Sequence, residues 1–321
     1  MKGVFYSCDN LKNVAGLGNW DTSETTTMYY LFALCPKLVS VAGIENFKTG
    51  NVTDMSYMFA GCENVEGVDA SKWDTGKVTT FRSMFSASSQ NTGAMKLKDL
   101  GVENWDVSSA TDMSYMFYGC GQFVTLDLSG WDVSNVTEMY HMFADCLKME
   151  QYNFSGWDTS NVTNINGIFN SNRALKTIDV SDFDTQNIQD FSQLFDGASS
   201  LETVIGMDQW DTSSGLYYVE LFTGTKVKEV DLSSFDMTTA LRTDSMFSGN
   251  SELTTIYVGD NWNLYASKLQ KSGGMFGGDP KLTGANGTTT AGNPTDATYA
   301  RIDTPETPGY LTHINDKSVT P

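Results

Sequence analysis

Residues Leu126–Cys146 read LDLSGWDVSNVTEMYHMFADC and are the clearest copy of a pattern that recurs along the whole chain. The pattern has two anchors, an aromatic residue that is usually followed by Asp, as at Trp131, and a Phe 12 residues later, as at Phe143. All seven tryptophans occupy the aromatic slot. The anchor Phe recurs mostly every 26 or 27 residues, at Phe5, Phe32, Phe59, Phe85, Phe117, Phe143, Phe169, Phe195, Phe222, Phe247 and Phe276. Self-similarity at such a period predicts a solenoid in which each repeat forms one layer.

Each repeat contains two periodic segments. Leu126 and Leu128 alternate with polar residues, which predicts a short strand. Val136, Met139, Met142 and Phe143 follow at helical spacing, which predicts a short helix capped by the preceding Asp-Val-Ser-Asn. The sequence therefore predicts an α/β repeat solenoid, similar to leucine-rich repeats, with a short parallel strand and a short helix per repeat of about 26 residues and about eleven layers.

The repeat pattern also divides the chain. It runs through residues 1–283, which we expect to form the solenoid. Residues 284–314 lose the pattern and predict a C-terminal capping segment, because the open end of a solenoid must be covered. Residues 315–321 predict a frayed tail.

The unit WDVSNVTEMYHMFADC, Trp131–Cys146, resembles the 26-residue repeat of bacterial surface proteins and mycoplasma-type lipoproteins, a relative of BspA-like leucine-rich-repeat proteins. The segment DATYARIDTPETPGYLT, Asp296–Thr312, resembles the closing segment of such arrays. The resemblance implies an extracellular protein at the bacterial cell surface that binds host or neighbouring-cell molecules. The chain begins partway through a repeat and shows neither a signal peptide nor an anchor, so we interpret it as a fragment whose cellular address comes from the resemblance alone.

Composition and motifs exclude several classes of function. Twenty basic against 39 acidic side chains give a net charge of −19, which repels nucleic acid and anionic lipid. No apolar stretch is long enough to cross a membrane, so we expect no membrane insertion. Only two histidines are present, and nucleophile elbows, HExxH and phosphate-binding loops are absent from the sequence. We expect no enzyme, no catalytic residue, no cofactor, no metal site and a monomer.

Three residue types recur in register and have competing interpretations. Cys8, Cys35, Cys62, Cys120 and Cys146 each follow an anchor Phe by three residues, which favours buried thiols over disulfides or a metal site. The Asp after the slot aromatic, as at Asp132, favours a capping role over calcium binding. Ten methionines at inward slots favour core packing over a hydrophobic binding groove.

Candidate binding residues lie at positions that the repeat leaves free. On the strand, outward polar residues predict an acidic face that could bind a protein or glycan, namely Asp127, Gln151, Asn153, Asp179, Glu229 and Asp231. Near the anchor Phe, a second set predicts an aromatic patch, namely Tyr57, Tyr115, Tyr140 and His141. Plain solvation of the strand face and partly buried layer packing of the rings are the competing interpretations.

These observations favour a non-enzymatic, adhesin-type binding module at the bacterial cell surface, which presents a rigid repeat surface to an extracellular protein or glycan. The first alternative is a structural stalk without a ligand of its own. The second is a calcium-dependent protein that interacts with glycans.

Overall fold

The computed structural model describes residues 1–88, 95–98, 100–264 and 268–317. Residues 318–321 of the predicted tail lie outside the described residues. The chain divides into two compact units, Met1–Asn161 with Ser171–Arg173 and Val162–Asn170 with Ala174–Pro321. Each unit is a parallel β-solenoid. Within the described ranges no helix is both long and apolar enough to cross a membrane.

Short parallel strands run through both units, and β1 to β8 each pair with the equivalent strand of a neighbouring repeat, whereas β9 comes from the segment after the repeats. In the first unit the pairs are β1 (Asn13–Val14) with β2 (Ser40–Val41) and β3 (Thr125–Asp127) with β4 (Gln151–Asn153). In the second unit β5 (Thr177–Asp179) pairs with β6 (Thr203–Ile205), and β7 (Glu229–Leu232), β8 (Thr255–Val258) and β9 (Thr312–His313) form one sheet in that order. Leu126 lies opposite Tyr152 and both are buried, whereas Asp127 is exposed. The predicted parallel strand is confirmed.

The predicted short helix is wrong. The described residues contain no α-helix, and their helical segments are three-residue 3-10 turns at Leu17–Asn19, Ile44–Asn46, Met207–Gln209, Ala297–Tyr299 and Ile314–Asp316. The prediction of eleven layers is not supported either, because the solenoid has about nine turns.

Consecutive β-turns replace the helix in each repeat. The N–H of Leu31 donates to the carbonyl of Met28, and the N–H of Ala33 donates to that of Tyr30, so alternate residues close tight turns. The intervening N–H groups of Met28, Tyr30, Phe32 and Leu34 donate instead to carbonyls of the next repeat, at 2.7–3.2 Å. The same ladder recurs in both units, and its donors always belong to the repeat that comes earlier in the chain. Neighbouring layers therefore satisfy backbone groups that an isolated helix of this length would satisfy poorly.

This turn ladder requires a left-handed backbone at one slot per repeat, two residues before the anchor Phe. The residues at this slot have φ between 53° and 66°, and they are Gly3, Tyr30, Tyr57, Ser83, Tyr115, His141, Gly167, Gln193, Glu220, Ser245 and Gly274. Positive φ is costly for residues with a Cβ, so the ladder has to compensate for it in every layer that lacks glycine there.

The core consists of columns of identical side chains. Anchor Phe rings stack on one another, for example Phe85 on Phe117 and Phe117 on Phe143, with centroids 6.0 and 5.8 Å apart. The slot tryptophans add a hydrogen bond, since the indole N–H of Trp131 donates to the carbonyl of Val102 at 2.9 Å and that of Trp157 to Leu128 at 2.9 Å. All ten register methionines are fully buried, so core packing is confirmed for them.

Candidate functional site

The strand face of the first unit carries three of the predicted binding residues. Asp127 on β3 lies opposite Asn153 on β4, and Gln151 is exposed one position away from the buried Tyr152. Asp127 accepts a hydrogen bond from the N–H of Ser129 at 3.1 Å, and Asn153 accepts one from the N–H of Ser155 at 3.1 Å. Hydrogen bonds from Ser129 and from the Asn153 side chain hold the pKa of Asp127 below its usual range.

The strand face of the second unit carries the other three. Asp179 on β5 is exposed and accepts hydrogen bonds from the N–H of Ser181, at 3.0 Å, and from its hydroxyl. Glu229 and Asp231 lie two residues apart on β7 and point to the same side of the sheet. Burial raises the pKa of Asp231, but hydrogen bonds from Lys317 and Ser233 outweigh it and leave the pKa below the ordinary value.

The aspartates of the strand face therefore have a local structural role that the sequence analysis missed. Each closes an Asx turn, in which the side-chain oxygen accepts the N–H of the residue two positions later. The same motif occurs at two further corners of the repeat. It follows the slot aromatic, as from Ser134 N–H to Asp132 at 3.1 Å, and it precedes the turn ladder, as from Ser114 N–H to Asp112 at 2.9 Å. The signal in the sequence was the repeated spacing of Asp or Asn before Ser.

The Asp column after the slot aromatic behaves as its capping interpretation predicts, although the cap closes a turn and does not begin a helix. Hydrogen bonds from Ser108 lower the pKa of Asp106, and those from Ser160 lower the pKa of Asp158. Over the described ranges, no group of three or more His, Cys, Asp or Glu side chains is placed to hold a metal ion.

The predicted aromatic patch lies in the first unit, and the structure brings its members together. Tyr115 stacks on His141 with ring centroids 5.1 Å apart and meets Tyr140 edge-on, also at 5.1 Å. Tyr57 stacks on Tyr30 with centroids 4.8 Å apart. All of these rings are half-buried, so part of each ring is accessible to solvent. Burial, together with the neighbouring Tyr140 ring, raises the pKa of Tyr115 despite the nearby Arg82.

Arg82 joins the two halves of this patch and was not predicted. The left-handed slot in its layer holds Ser83, which has no ring, so a gap separates Tyr57 from Tyr115 in the column. The Arg82 guanidinium fills this gap. Its Nε donates to the Tyr57 hydroxyl at 3.1 Å, and its carbon lies 5.8 and 5.0 Å from the ring centroids of Tyr115 and Tyr140.

An ion pair with Asp112 at 3.5 Å also orients the Arg82 side chain. Planar guanidinium groups stack on aromatic faces and keep donors available for a ligand. We call the surface formed by Tyr30, Tyr57, Arg82, Tyr115, Tyr140 and His141 the aromatic platform.

Four of the five cysteines form a buried column. Cys35, Cys62, Cys120 and Cys146 are buried, and each thiol contacts the carbonyl of the anchor Phe one layer earlier, at 2.9–3.4 Å. Burial raises the pKa of Cys35 to about 11 and that of Cys146 to about 12. Thiols that stay protonated are poor nucleophiles and poor metal ligands. The prediction of buried thiols is confirmed for these four, whereas Cys8 is half-exposed.

The repeated layers, stacked rings and Asx-closed corners define a repeat protein of the parallel β-solenoid class. The family described as "Mycoplasma protein of unknown function, DUF285" matches residues 1–100, 88–177 and 168–285. The chain belongs to this family, and the resemblance found in the repeat unit is confirmed.

Two further comparisons add little. No curated protein matches the chain. Among solved structures, a leucine-rich repeat protein from Bacteroides ovatus is similar, with 14% identity, coverage of 88% of this chain and 80% of that chain, and a TM-score of 0.31. The β-solenoid fold is therefore based on the hydrogen-bond ladders of the chain itself and not on this similarity.

Proposed function

We propose that the chain is a non-enzymatic, adhesin-type binding module of the bacterial cell surface. Its ligand is an extracellular protein or glycan of the host or of a neighbouring cell, bound on the aromatic platform. The observation that carries this proposal is the continuous surface of half-buried rings joined by Arg82.

The chemistry of the platform suits recognition better than catalysis. Tyrosine and arginine give large contact areas at low entropic cost and are enriched at binding hot spots. The platform is held in place before any ligand arrives, because the rings stack and Arg82 is fixed by Tyr57 and Asp112. The extracellular address is supported by the resemblance of the repeat to those of bacterial surface proteins.

The experiment that tests this function is binding of the purified chain to an array of extracellular matrix proteins, mucins and glycans. We expect a saturable hit that is weakened at least about tenfold by Arg82→Gln or Tyr115→Leu, the loss typical of a hot-spot residue. Tyr217→Leu is the matched control, since Tyr217 is a half-exposed tyrosine of the second unit. If all three variants bind the ligand as well as the wild type does, the ligand site lies outside the platform.

A stalk without its own ligand is the second candidate, and the Asx turns favour it. They account for the recurrence of the strand-face aspartates by turn formation alone. If the chain binds none of the molecules on the array, the result would support the stalk. For calcium-dependent glycan binding, the described residues contain no group of three or more His, Cys, Asp or Glu side chains placed to hold a metal ion. A melting temperature that rises with calcium and falls with chelator would support this function.

A further inference from the structure

A groove of about 510 Å³ lies on the strand face of the second unit. Glu229 and Asp231 of β7 and Tyr257 of β8 line it, together with Glu202 and Thr254. Lys317, which follows β9 and the 3-10 turn Ile314–Asp316, also lines this groove.

The Lys317 ammonium is bound by two different groups. Its Nζ donates to Oδ2 of Asp231 at 2.8 Å and lies 4.8 Å from the centroid of the Tyr257 ring. A carboxylate beside an aromatic face is a favourable setting for an ammonium, because ion pairing and cation–π attraction act together. Glu229 adds a second negative charge on the same face of β7.

The strands fix the geometry of these groups. Asp231 and Tyr257 are register partners on adjacent parallel strands, so their side chains project side by side. The N–H of Ser233 holds the Asp231 carboxylate at 3.1 Å, and Tyr257 is only 8% exposed. The strand pairing and the Ser233 N–H therefore hold the carboxylate and the ring in addition to the lysine that contacts them.

We propose that this groove is a binding site for a lysine side chain of a partner protein and that Lys317 is its internal competitor. The site is independent of the proposed function, because it lies in the other unit and shares no residue with the aromatic platform. Lys317 is displaceable, since its side chain remains 43% exposed and exposed ion pairs contribute little stability.

The test measures binding of Nα-acetyl-lysine methylamide to the full chain from the amide chemical shifts of Asp231 and Tyr257. Lys317→Met keeps most of the apolar stem and removes the ammonium. We expect it to lower the apparent Kd by about tenfold, since an internal competitor reduces affinity by the fraction of time it occupies the site. Adding Asp231→Asn should reverse this gain, and Asn keeps the turn oxygen, as Asn153 does in its own layer.

Two controls make the result specific. Lys281→Met also removes one exposed lysine charge of the second unit, where Lys281 pairs with Glu252, and it should leave the apparent Kd unchanged. The probe with an acetylated Nε should not bind any variant. Equal binding by wild type and Lys317→Met, or a gain that survives Asp231→Asn, would overturn the proposal.

Discussion

The left-handed slot two residues before each anchor Phe shows how one backbone angle selects side chains. Glycine fits this slot without strain at Gly167 and Gly274, yet most layers place a larger residue there. In the first unit, Tyr30, Tyr57, Tyr115 and His141 recover part of the cost through ring stacking with neighbours. Where no stacking partner compensates, the strain should be measurable.

Ser245 is the position to test, because its φ is 53° and serine has no ring that could stack on a neighbour. Ser245→Gly should raise the free energy of unfolding by about 0.5–1 kcal/mol. This value is the energetic cost of the left-handed conformation for serine, minus the cost of the greater conformational entropy that glycine has in the unfolded chain. Ser245→Val should lower it, since a branched Cβ fits this region worst. Urea unfolding measures both, and Ser199→Gly, at an exposed site without positive φ, should be destabilising. A Ser245→Gly variant that behaves like the Ser199 control would contradict the strain argument.

Asp279 gives a pH prediction with a definite sign. It is 1% exposed and its Oδ2 has no hydrogen-bond partner among the described residues, and burial raises its pKa to about 7 despite a hydrogen bond from the N–H of Asn250. The folded chain thus keeps this proton up to about pH 7, whereas the unfolded chain loses it near 3.8, so this group makes stability fall as pH rises between those values.

Asp279→Asn should remove that loss, because Asn stays neutral and already occupies the equivalent slot at Asn172 and Asn250. We expect the variant to exceed wild type by roughly 2–4 kcal/mol at pH 8 and to converge with it near pH 4. Urea unfolding across this pH range measures the difference. A constant difference at all pH values would show that Asp279 is already ionised in the folded chain.

At the scale of elements, the Asx turns fix the corners of each layer. Replacing Asp127 by Asn keeps the oxygen that accepts the Ser129 N–H, whereas Ala removes it. We expect Asp127→Asn to leave the melting temperature nearly unchanged and Asp127→Ala to lower it by about 2 °C or more, the shift typical of one lost hydrogen bond in a chain of this size. Equal melting of the two variants would mean that the turn does not need the side chain.

In the turn segment, the sequence predicts which side chains are buried but not the backbone conformation. Burial of Met139, Met142 and Phe143 was predicted correctly, because spacing alone identifies which side chains face inward. Two consecutive turns place residues i, i+3 and i+4 on one side just as a helix does, so the spacing cannot distinguish them. The choice depends on hydrogen bonds to the neighbouring layers, which a single repeat does not reveal.

Some of the candidate binding residues could be predicted from the sequence, and others could not. Periodicity found the aromatic patch, because Tyr57, Tyr115 and His141 share one slot and Tyr140 precedes that slot by one residue. It missed Arg82, which matters only because the adjacent Ser83 leaves a gap that a long side chain from the neighbouring column can fill. It also missed Lys317, which lies far from Asp231 in sequence and reaches it only through the pairing of β9 with β8.

At the scale of the whole molecule, charge dominates the expected response to solvent. A net charge of −19 destabilises the compact state by self-repulsion. Raising NaCl from about 10 mM to about 150 mM shortens the Debye length from about 30 Å to about 8 Å and should raise the melting temperature by roughly 2–4 °C.

A matched variant checks this explanation. Converting the exposed acids Glu24, Glu103, Asp208 and Glu306 to their amides should make the chain less sensitive to salt. Calorimetry of the two proteins at several salt concentrations is the measurement. If the two proteins respond equally to salt, self-repulsion is not the cause.

The one-way turn ladder has a further consequence. Because its N–H groups always donate toward the later repeat, as from Tyr57 to Arg82 and from Tyr115 to Tyr140, the dipoles of the ladder peptides point in the same direction. Aligned dipoles add, as they do in a helix. The turn ladder of each unit therefore contributes an electrical polarity along its stack, with partial negative charge where the ladder begins and partial positive charge where it ends.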